Sequence, residues 1–135
     1  DRLETSYRSD LYLGMILEKE GKPEEASACW ERMTQKDPDN WQSWFARADR
    51  LAKRCAYPEA IALYEKALEL APRPRFTDPV NAIAQLYEIQ GQYAKAVEFY
   101  QKEIEIVRQD WNETQGEAID EPLRNIARLK EKMAK

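Results

Sequence analysis

The sequence predicts an all-α protein built from repeated pairs of helices. Alanine, leucine, glutamate, lysine and glutamine are abundant, whereas only four of the 135 residues are glycine, and this composition favours helices. Apolar residues recur at the helical spacing i, i+3, i+4 and i+7, as Val80, Ile83, Ala84 and Tyr87 illustrate. Self-similarity along the chain groups the helices into repeats. About seven helices follow from this pattern.

A small residue marks the first helix of each repeat. Gly14, Ala48 and Ala84 are each followed twelve residues later by an alanine, and an aromatic residue stands four positions after that alanine. The period is 34 residues between the first two alanines and 36 between the second and the third. Because a small side chain lets a second helix pass closely, we expect the paired helices to cross here. The aromatic residues are Trp30, Tyr64 and Tyr100.

Glycines and prolines set the helix boundaries. Gly21 and Gly91 fall where the first and third pairs must turn, and glycine tolerates the left-handed conformation of such turns. Cys55 stands at the corresponding place in the second pair. Pro23 and Pro58 begin the second helices of their pairs, because the first helical turn needs no amide donor. The predicted repeats cover residues 7–40, 41–74 and 77–110.

The segment after Trp111 has no repeat phase. Gly116 lies among polar residues, which predicts a loop over 112–119. Asp120 followed by Pro122 is typical of a helix start and predicts a terminal helix over 120–134. Its apolar residues would cover the open end of the third unit, as repeat arrays require. Residues 1–135 are therefore expected to form one domain.

These units resemble tetratricopeptide repeats. The sequence departs from the family pattern at Asp10 in the tryptophan position, Arg47 in a leucine position and Glu103 in an alanine position. The resemblance implies a right-handed superhelical solenoid of antiparallel helix pairs, whose first helices line a concave groove for a partner peptide. The second unit matches the pattern best, through Trp44, Ala48, Leu51, Ala60, Tyr64, Ala67 and Pro72.

The resemblance also selects the residues expected to bind the partner. Phe45, Leu11 and Met15 would form an apolar centre, because the core positions of these helices are occupied by other residues such as Leu13 and Trp44. Packing against neighbouring helices is the alternative role for Phe45. The expected groove residues are Arg8, Leu11, Tyr12 and Met15 in the first unit, Gln42, Phe45, Asp49 and Lys53 in the second, and Asn81, Gln85 and Glu88 in the third.

Some members of the family bind the acidic C-terminus of chaperones through lysine, asparagine and arginine side chains. The corresponding places here hold Leu11, Met15, Ala46, Asp78 and Ala82, so we expect no binding of chaperone tails. The leading functional interpretation is a non-enzymatic scaffold that binds a protein or peptide. The alternatives are a ligand- or peptide-sensing module of a larger regulatory protein, and self-assembly into homo-oligomers through the uncovered N-terminal end.

Composition argues against catalysis, nucleic-acid binding and membrane insertion. Without histidine the chain cannot build a Ser-His or Cys-His catalytic pair, and it lacks the commonest zinc ligand. A net charge of −4 does not supply the basic surface that nucleic acids require. The longest uncharged stretch has nine residues, whereas a membrane span needs about 20 apolar ones. We therefore expect no enzyme activity, cofactor, metal, nucleic acid or membrane partner.

The two cysteines indicate a reducing compartment. Cys29 and Cys55 are 26 residues apart and form no CxxC pattern, so a disulfide framework is not expected. This favours the cytoplasm as the location. The first residue is aspartate, which leaves an upstream targeting sequence or a further repeat open.

Overall fold

The computed structural model describes residues 7–135, which form seven α-helices and no β-strand. The all-α prediction is confirmed for this range. Two compact units divide the chain, the first ending at Leu70 and the second spanning Ala71–Lys135. No helix among the described residues is long and apolar enough to cross a membrane. In chain order the helices are α1 (Tyr7–Lys19), α2 (Pro23–Lys36), α3 (Trp41–Lys53), α4 (Tyr57–Leu70), α5 (Asp78–Ile89), α6 (Tyr93–Trp111) and α7 (Glu117–Ala134).

In the first unit, α1 crosses α2 at Gly14, as predicted. A methyl group added at Gly14 would lie 2.2 Å from Nε1 of Trp30, so no larger residue fits here without displacing the ring. The Trp30 side chain is almost fully buried, and its indole N–H donates to the backbone oxygen of Leu11 at 3.4 Å. Around it lies a buried cluster that also contains Ala26, Cys29 and Met33.

Two arginines tie α3 to the first helix pair. Arg54 donates through Nε to a carboxylate oxygen of Glu18 at 2.6 Å and through Nη1 to Oγ of Ser27 at 2.6 Å. The guanidinium groups of Arg50 and Arg54 lie 5.7 and 4.6 Å from the centre of the Trp30 ring, a geometry in which a cation is attracted to the ring face. Arg50 and Arg54 therefore have a structural role.

Two positions of α1 differ from their expected roles. Leu13, expected in the core, is 45% exposed. At the equivalent position of α3, Arg47 donates to Thr34 of α2, whereas α1 has no preceding helix among residues 7–135. Asp10, in the tryptophan position, is buried and pairs with Arg32 and Lys36 of α2.

The turn between α3 and α4 uses Cys55 where the other two helix pairs use glycine. The backbone φ angle is 64° at Cys55, compared with 79° at Gly21 and 77° at Gly91. All three residues therefore have a positive φ angle, which was expected at the two glycines only. Only glycine adopts it without a steric cost from Cβ.

In the second unit, α5 and α6 cross at the fully buried Ala84, and α7 packs on α6. Helix α6 continues to Trp111. Helix α7 begins at Glu117, three residues earlier than the predicted start at 120. Extending the helix N-terminally brings the buried Ile119 into it and leaves Pro122, also buried, inside the helix. The single-domain organisation stays a prediction.

Candidate functional site

Phe45 of α3 lies in an aromatic cluster of the first unit. Its ring centre is 5.8 Å from that of Trp41 and 5.4 Å from that of Tyr64 on α4. Such separations are typical of favourable aromatic pairs. Phe45 is only half-buried, so it packs against its neighbours and still presents part of its ring to solvent. The alternative role that the sequence left open for Phe45, packing, is thus observed.

Tyr64 also forms a hydrogen bond with Asp49 of α3. The Tyr64 hydroxyl donates to a carboxylate oxygen of Asp49. Burial, and then the hydrogen bond and negative charge of Asp49, raise the pKa of Tyr64 well above its ordinary value. Two residues expected to face a partner, Phe45 and Asp49, are therefore brought together around one buried tyrosine.

The residues expected on α1 divide between the core and the surface. Leu11 is half-buried and packs against the cluster around Trp30. Met15 is half-buried as well. Tyr12 is 58% exposed, and Arg8 is exposed with its guanidinium 5.5 Å from the Tyr7 ring centre. On α3, Gln42 and Lys53 are exposed.

The second unit contains an open cleft of about 430 Å³. Two expected groove residues of α5, Gln85 and Glu88, line it together with Tyr100 of α6. Its other wall comes from α7, which the sequence analysis assigned only to covering the array. The lining residues of α7 are Glu121, Asn125, Arg128 and Lys132.

An ion pair between α5 and α7 closes one side of this cleft. Arg128 donates through Nη2 to Oε1 of Glu88 at 3.0 Å and through Nη1 to the other carboxylate oxygen. The Tyr100 hydroxyl donates to the same carboxylate at 3.3 Å. The hydrogen bond from Arg128 is the main cause that lowers the pKa of Glu88. Burial is the main cause that raises the pKa of Tyr100 to about 12.

A series of side-chain hydrogen bonds leads from the cleft into the interior of the second unit. Gln85 donates to the side-chain oxygen of Asn81, and Asn81 donates to Oε1 of Glu103 at 3.0 Å. Burial raises the pKa of Glu103, the hydrogen bond from Asn81 opposes this, and the charges of Glu121 and Asp78 raise it further. Asn81 is thus engaged inside the unit, whereas Gln85 remains exposed.

The residues of α7 that line the cleft were not predicted to bind a partner, because the family resemblance assigns partner contacts only to the first helix of each repeat. The spacing of its polar residues carried a signal, since four, three and four positions separate successive members of the set from 121 to 132. That spacing follows one helix face, while the buried Ile126 and Leu129 lie on another. The repeat pattern predicted the positions of Tyr64 and Tyr100, but it does not indicate which residues accept the hydrogen bonds of their hydroxyl groups.

The cleft of the second unit presents side chains that can bind a ligand. Among residues 7–135, no group of three or more histidine, cysteine, aspartate or glutamate side chains is arranged to hold a metal ion. The cleft instead presents amides, carboxylates and two cations around an open space. Such groups recognise a ligand by hydrogen bonds and charge.

Comparison with known families agrees with the repeat pattern. A tetratricopeptide-repeat profile matches residues 11–73, and a second one matches residues 79–109. The chain belongs to the tetratricopeptide-repeat family. Residues outside the two matches include α7, which supplies one wall of the cleft. A comparison with curated proteins gives no match.

Solved tetratricopeptide-repeat domains share the fold. The N-terminal domain of stress-induced protein-1 from C. elegans has a TM-score of 0.71 at 16% identity, covering 92% of this chain and 94% of that one. The TPR2B domain of yeast Sti1, in complex with an Hsp70 peptide, has a TM-score of 0.70 at 21% identity, covering 93% and 97%. The first TPR of Spaghetti (RPAP3), bound to the HSP90 peptide SRMEEVD, has a TM-score of 0.66 at 17% identity, covering 96% and 97%.

Proposed function

We propose that this tetratricopeptide-repeat protein is a non-enzymatic scaffold that binds a peptide segment of a partner protein. The family and its all-α repeat fold support this proposal, because such repeats present helix faces to a ligand. Two of the similar domains are described as complexes with chaperone peptides. The groove residues named from the sequence are part of the proposal.

The cleft of the second unit is the observation that carries the proposal furthest. Gln85 is exposed there, and the Asn125 amide on the opposite wall is half-buried. Both amides carry donors and acceptors that can pair with the backbone of a ligand. Glu88 and Arg128 satisfy each other, so the cleft does not demand a strongly charged ligand. A mainly uncharged segment with free backbone groups fits it best.

Chaperone tails fit this cleft poorly. The places that hold the basic clamp in the family are occupied here by leucine, methionine, alanine and aspartate. In the second unit, the negative charges of Asp78 and Glu121 act on the buried Glu103, and an acidic tail would add to them. We expect the peptide SRMEEVD to show no saturable binding up to about 1 mM. Micromolar binding of this peptide in a fluorescence titration would contradict that expectation.

Site-specific photocrosslinking tests the proposal directly. A photoreactive phenylalanine analogue is placed at Gln85 or Asn125, and at Gln101 as the control. Gln101 is exposed on α6 and does not line the cleft. In extracts we expect one recurrent partner segment at the first two positions, which line the same cleft, and none at the control. Equal yields at Gln101, or no recurrent segment at Gln85, would overturn the proposal.

Self-assembly is a second candidate, and the surface of α1 favours it. Tyr12, Leu13 and Ile16 are 58%, 45% and 53% exposed on adjacent positions of one helix. Exposed apolar groups that lie together are typical of association surfaces. Light scattering at increasing concentration would show growth in mass for the wild type and not for Ile16→Lys. A monomer at all concentrations would exclude this candidate.

A further inference from the structure

A second cleft, of about 390 Å³, opens on the first unit. Its walls come from α2 and α4, and its floor is formed by Arg47 and Leu51 of α3. Arg47 lies two residues after Phe45, which places the two side chains about 200° apart around the helix. The cleft is therefore on the face of α3 opposite to the proposed groove. A ligand there would be independent of the proposed function.

Arg47 is an unusual residue for this position. The equivalent residues in the other repeats are Leu13 and Ile83. Burial lowers the pKa of Arg47, which means that its charged group has lost water. Within the described residues 7–135 it donates from Nη1 to Oγ1 of Thr34 at 3.0 Å, and the negative charge of Glu31 also acts on it. A guanidinium has five donors, so donors remain for a ligand.

The remaining walls define what such a ligand must carry. Leu51 and Leu63 supply apolar surface, and the exposed Ala62 leaves the entrance open. The exposed carboxylates of Glu31 and Glu59 stand on the α2 and α4 sides. An apolar side chain matches the floor, a carbonyl oxygen matches Arg47, and positive charges match the two glutamates. An acidic ligand would be repelled at the entrance.

We propose that this cleft is a docking site for a partner peptide with an apolar anchor residue flanked by basic residues. The anchor enters between α2 and α4, and the backbone carbonyl beside it accepts from Arg47. The flanking lysine or arginine side chains pair with Glu31 and Glu59. Buried anchors of this kind dominate the energy of many interfaces. In this proposal Arg47, which stands where the other repeats have an apolar residue, binds the partner peptide.

The test uses a short capped peptide with one phenylalanine between lysines, titrated into the isotope-labelled protein. We expect saturable amide shifts on α2 and α4, with a dissociation constant below about 1 mM. Arg47→Leu, which restores the residue type of the family, should weaken binding about tenfold because a charged hydrogen bond is lost. Ala62→Phe should abolish binding by filling the entrance. The same peptide with glutamates in place of lysines should not bind.

Matched controls separate docking from general effects. Ala28 is also exposed, does not line the cleft, and lies 34 residues before Ala62 at the equivalent position of α2, so Ala28→Phe should leave affinity unchanged. Gln85→Trp, which fills the cleft of the second unit, should also leave it unchanged. Urea unfolding verifies that each variant is folded. Absence of saturable binding, equal binding of the glutamate peptide, or wild-type affinity in Ala62→Phe would overturn the proposal.

Discussion

The first and third repeats have different pairs of residues, one small and one aromatic, where their two helices cross. In the first repeat, glycine at position 14 faces the large ring of Trp30, with no space for a methyl group. In the third repeat, the equivalent residues are Ala84 and the smaller Tyr100, and both are buried. The small residue and the aromatic residue thus compensate in size. Close packing of protein interiors explains why the two positions must change together.

The polar atom of the ring also differs in its role. The indole N–H of Trp30 donates to a backbone oxygen of its own helix pair, which links the two helices at their crossing. The Tyr100 hydroxyl donates to Glu88, whose carboxylate lines the cleft and binds Arg128. The aromatic residue of the third repeat therefore connects the core to the proposed binding surface.

The largest expected effect comes from Gly14→Ala. Its methyl group would overlap the buried ring of Trp30, and overpacking of this kind costs about 3 kcal/mol of unfolding free energy. Urea denaturation measures the loss. Trp30→Tyr in the same chain should recover part of it, because the pair then resembles that of the third repeat. A Gly14→Ala protein with wild-type stability would show that the size rule is wrong.

The two tyrosine hydroxyls should differ in their contribution to stability. Tyr64→Phe removes the hydrogen bond that the buried hydroxyl donates to Asp49 and should cost about 1.5 kcal/mol. Tyr100→Phe should cost about 0.5 kcal/mol, because its hydrogen bond is longer and Glu88 keeps Arg128. Thermal or urea unfolding of both variants gives the comparison. The reverse order would mean that the third repeat depends on the hydroxyl more than the second.

In the turns between paired helices, one substitution is expected to increase the stability of the protein rather than to decrease it. Cys55 has the left-handed conformation that glycine adopts in the other two turns. Cys55→Gly should stabilise the protein by about 0.5 to 1 kcal/mol, since a left-handed residue with Cβ is strained. Ala62→Gly, in the interior of the following helix, should instead cost about 1 kcal/mol. If both variants lose stability, Cys55 is not strained.

The smallest effects concern two glutamates whose pKa values move in opposite directions. The pKa of Glu103 is raised, mainly by burial, so its contribution to stability is present at low pH and is lost as pH rises through the raised value. The pKa of Glu88 is lowered, mainly by Arg128, so its contribution is present at neutral pH and is lost on acidification. At neutral pH, Glu103→Gln should stabilise and Glu88→Gln should destabilise. At about pH 3 both differences should shrink, and a difference that persists would contradict these assignments.

The repeat phase predicted the fold because it reports side-chain size. Glycine or alanine every 34 to 36 residues, with an aromatic residue sixteen positions later, located the helix crossings correctly. It failed at Leu13, because periodicity shows which face of a helix is apolar but not whether another helix covers it. The predicted start of α7 was three residues too late. Pro122 was expected in the first turn of this helix, whereas it lies in the interior of the helix.

The candidate site was less predictable because it depends on contacts between distant residues. Phe45 was identified, but its packing on Tyr64 of the next helix depends on side-chain orientation. The pairing of Arg128 with Glu88 joins residues 40 positions apart, and no repeat pattern relates them. Gln85 remained exposed as expected, because its position on the helix alone determined that.

The affinity of the crosslinked partner segment for two tryptophan variants tests the central claim most directly. Gln85→Trp fills the cleft of the second unit from an exposed position, and Gln101→Trp adds the same side chain to an exposed position outside it. Calorimetric titration should show a loss of at least about tenfold for Gln85→Trp and wild-type affinity for Gln101→Trp. Equal affinities for the two variants would show that the segment binds elsewhere and would contradict the account.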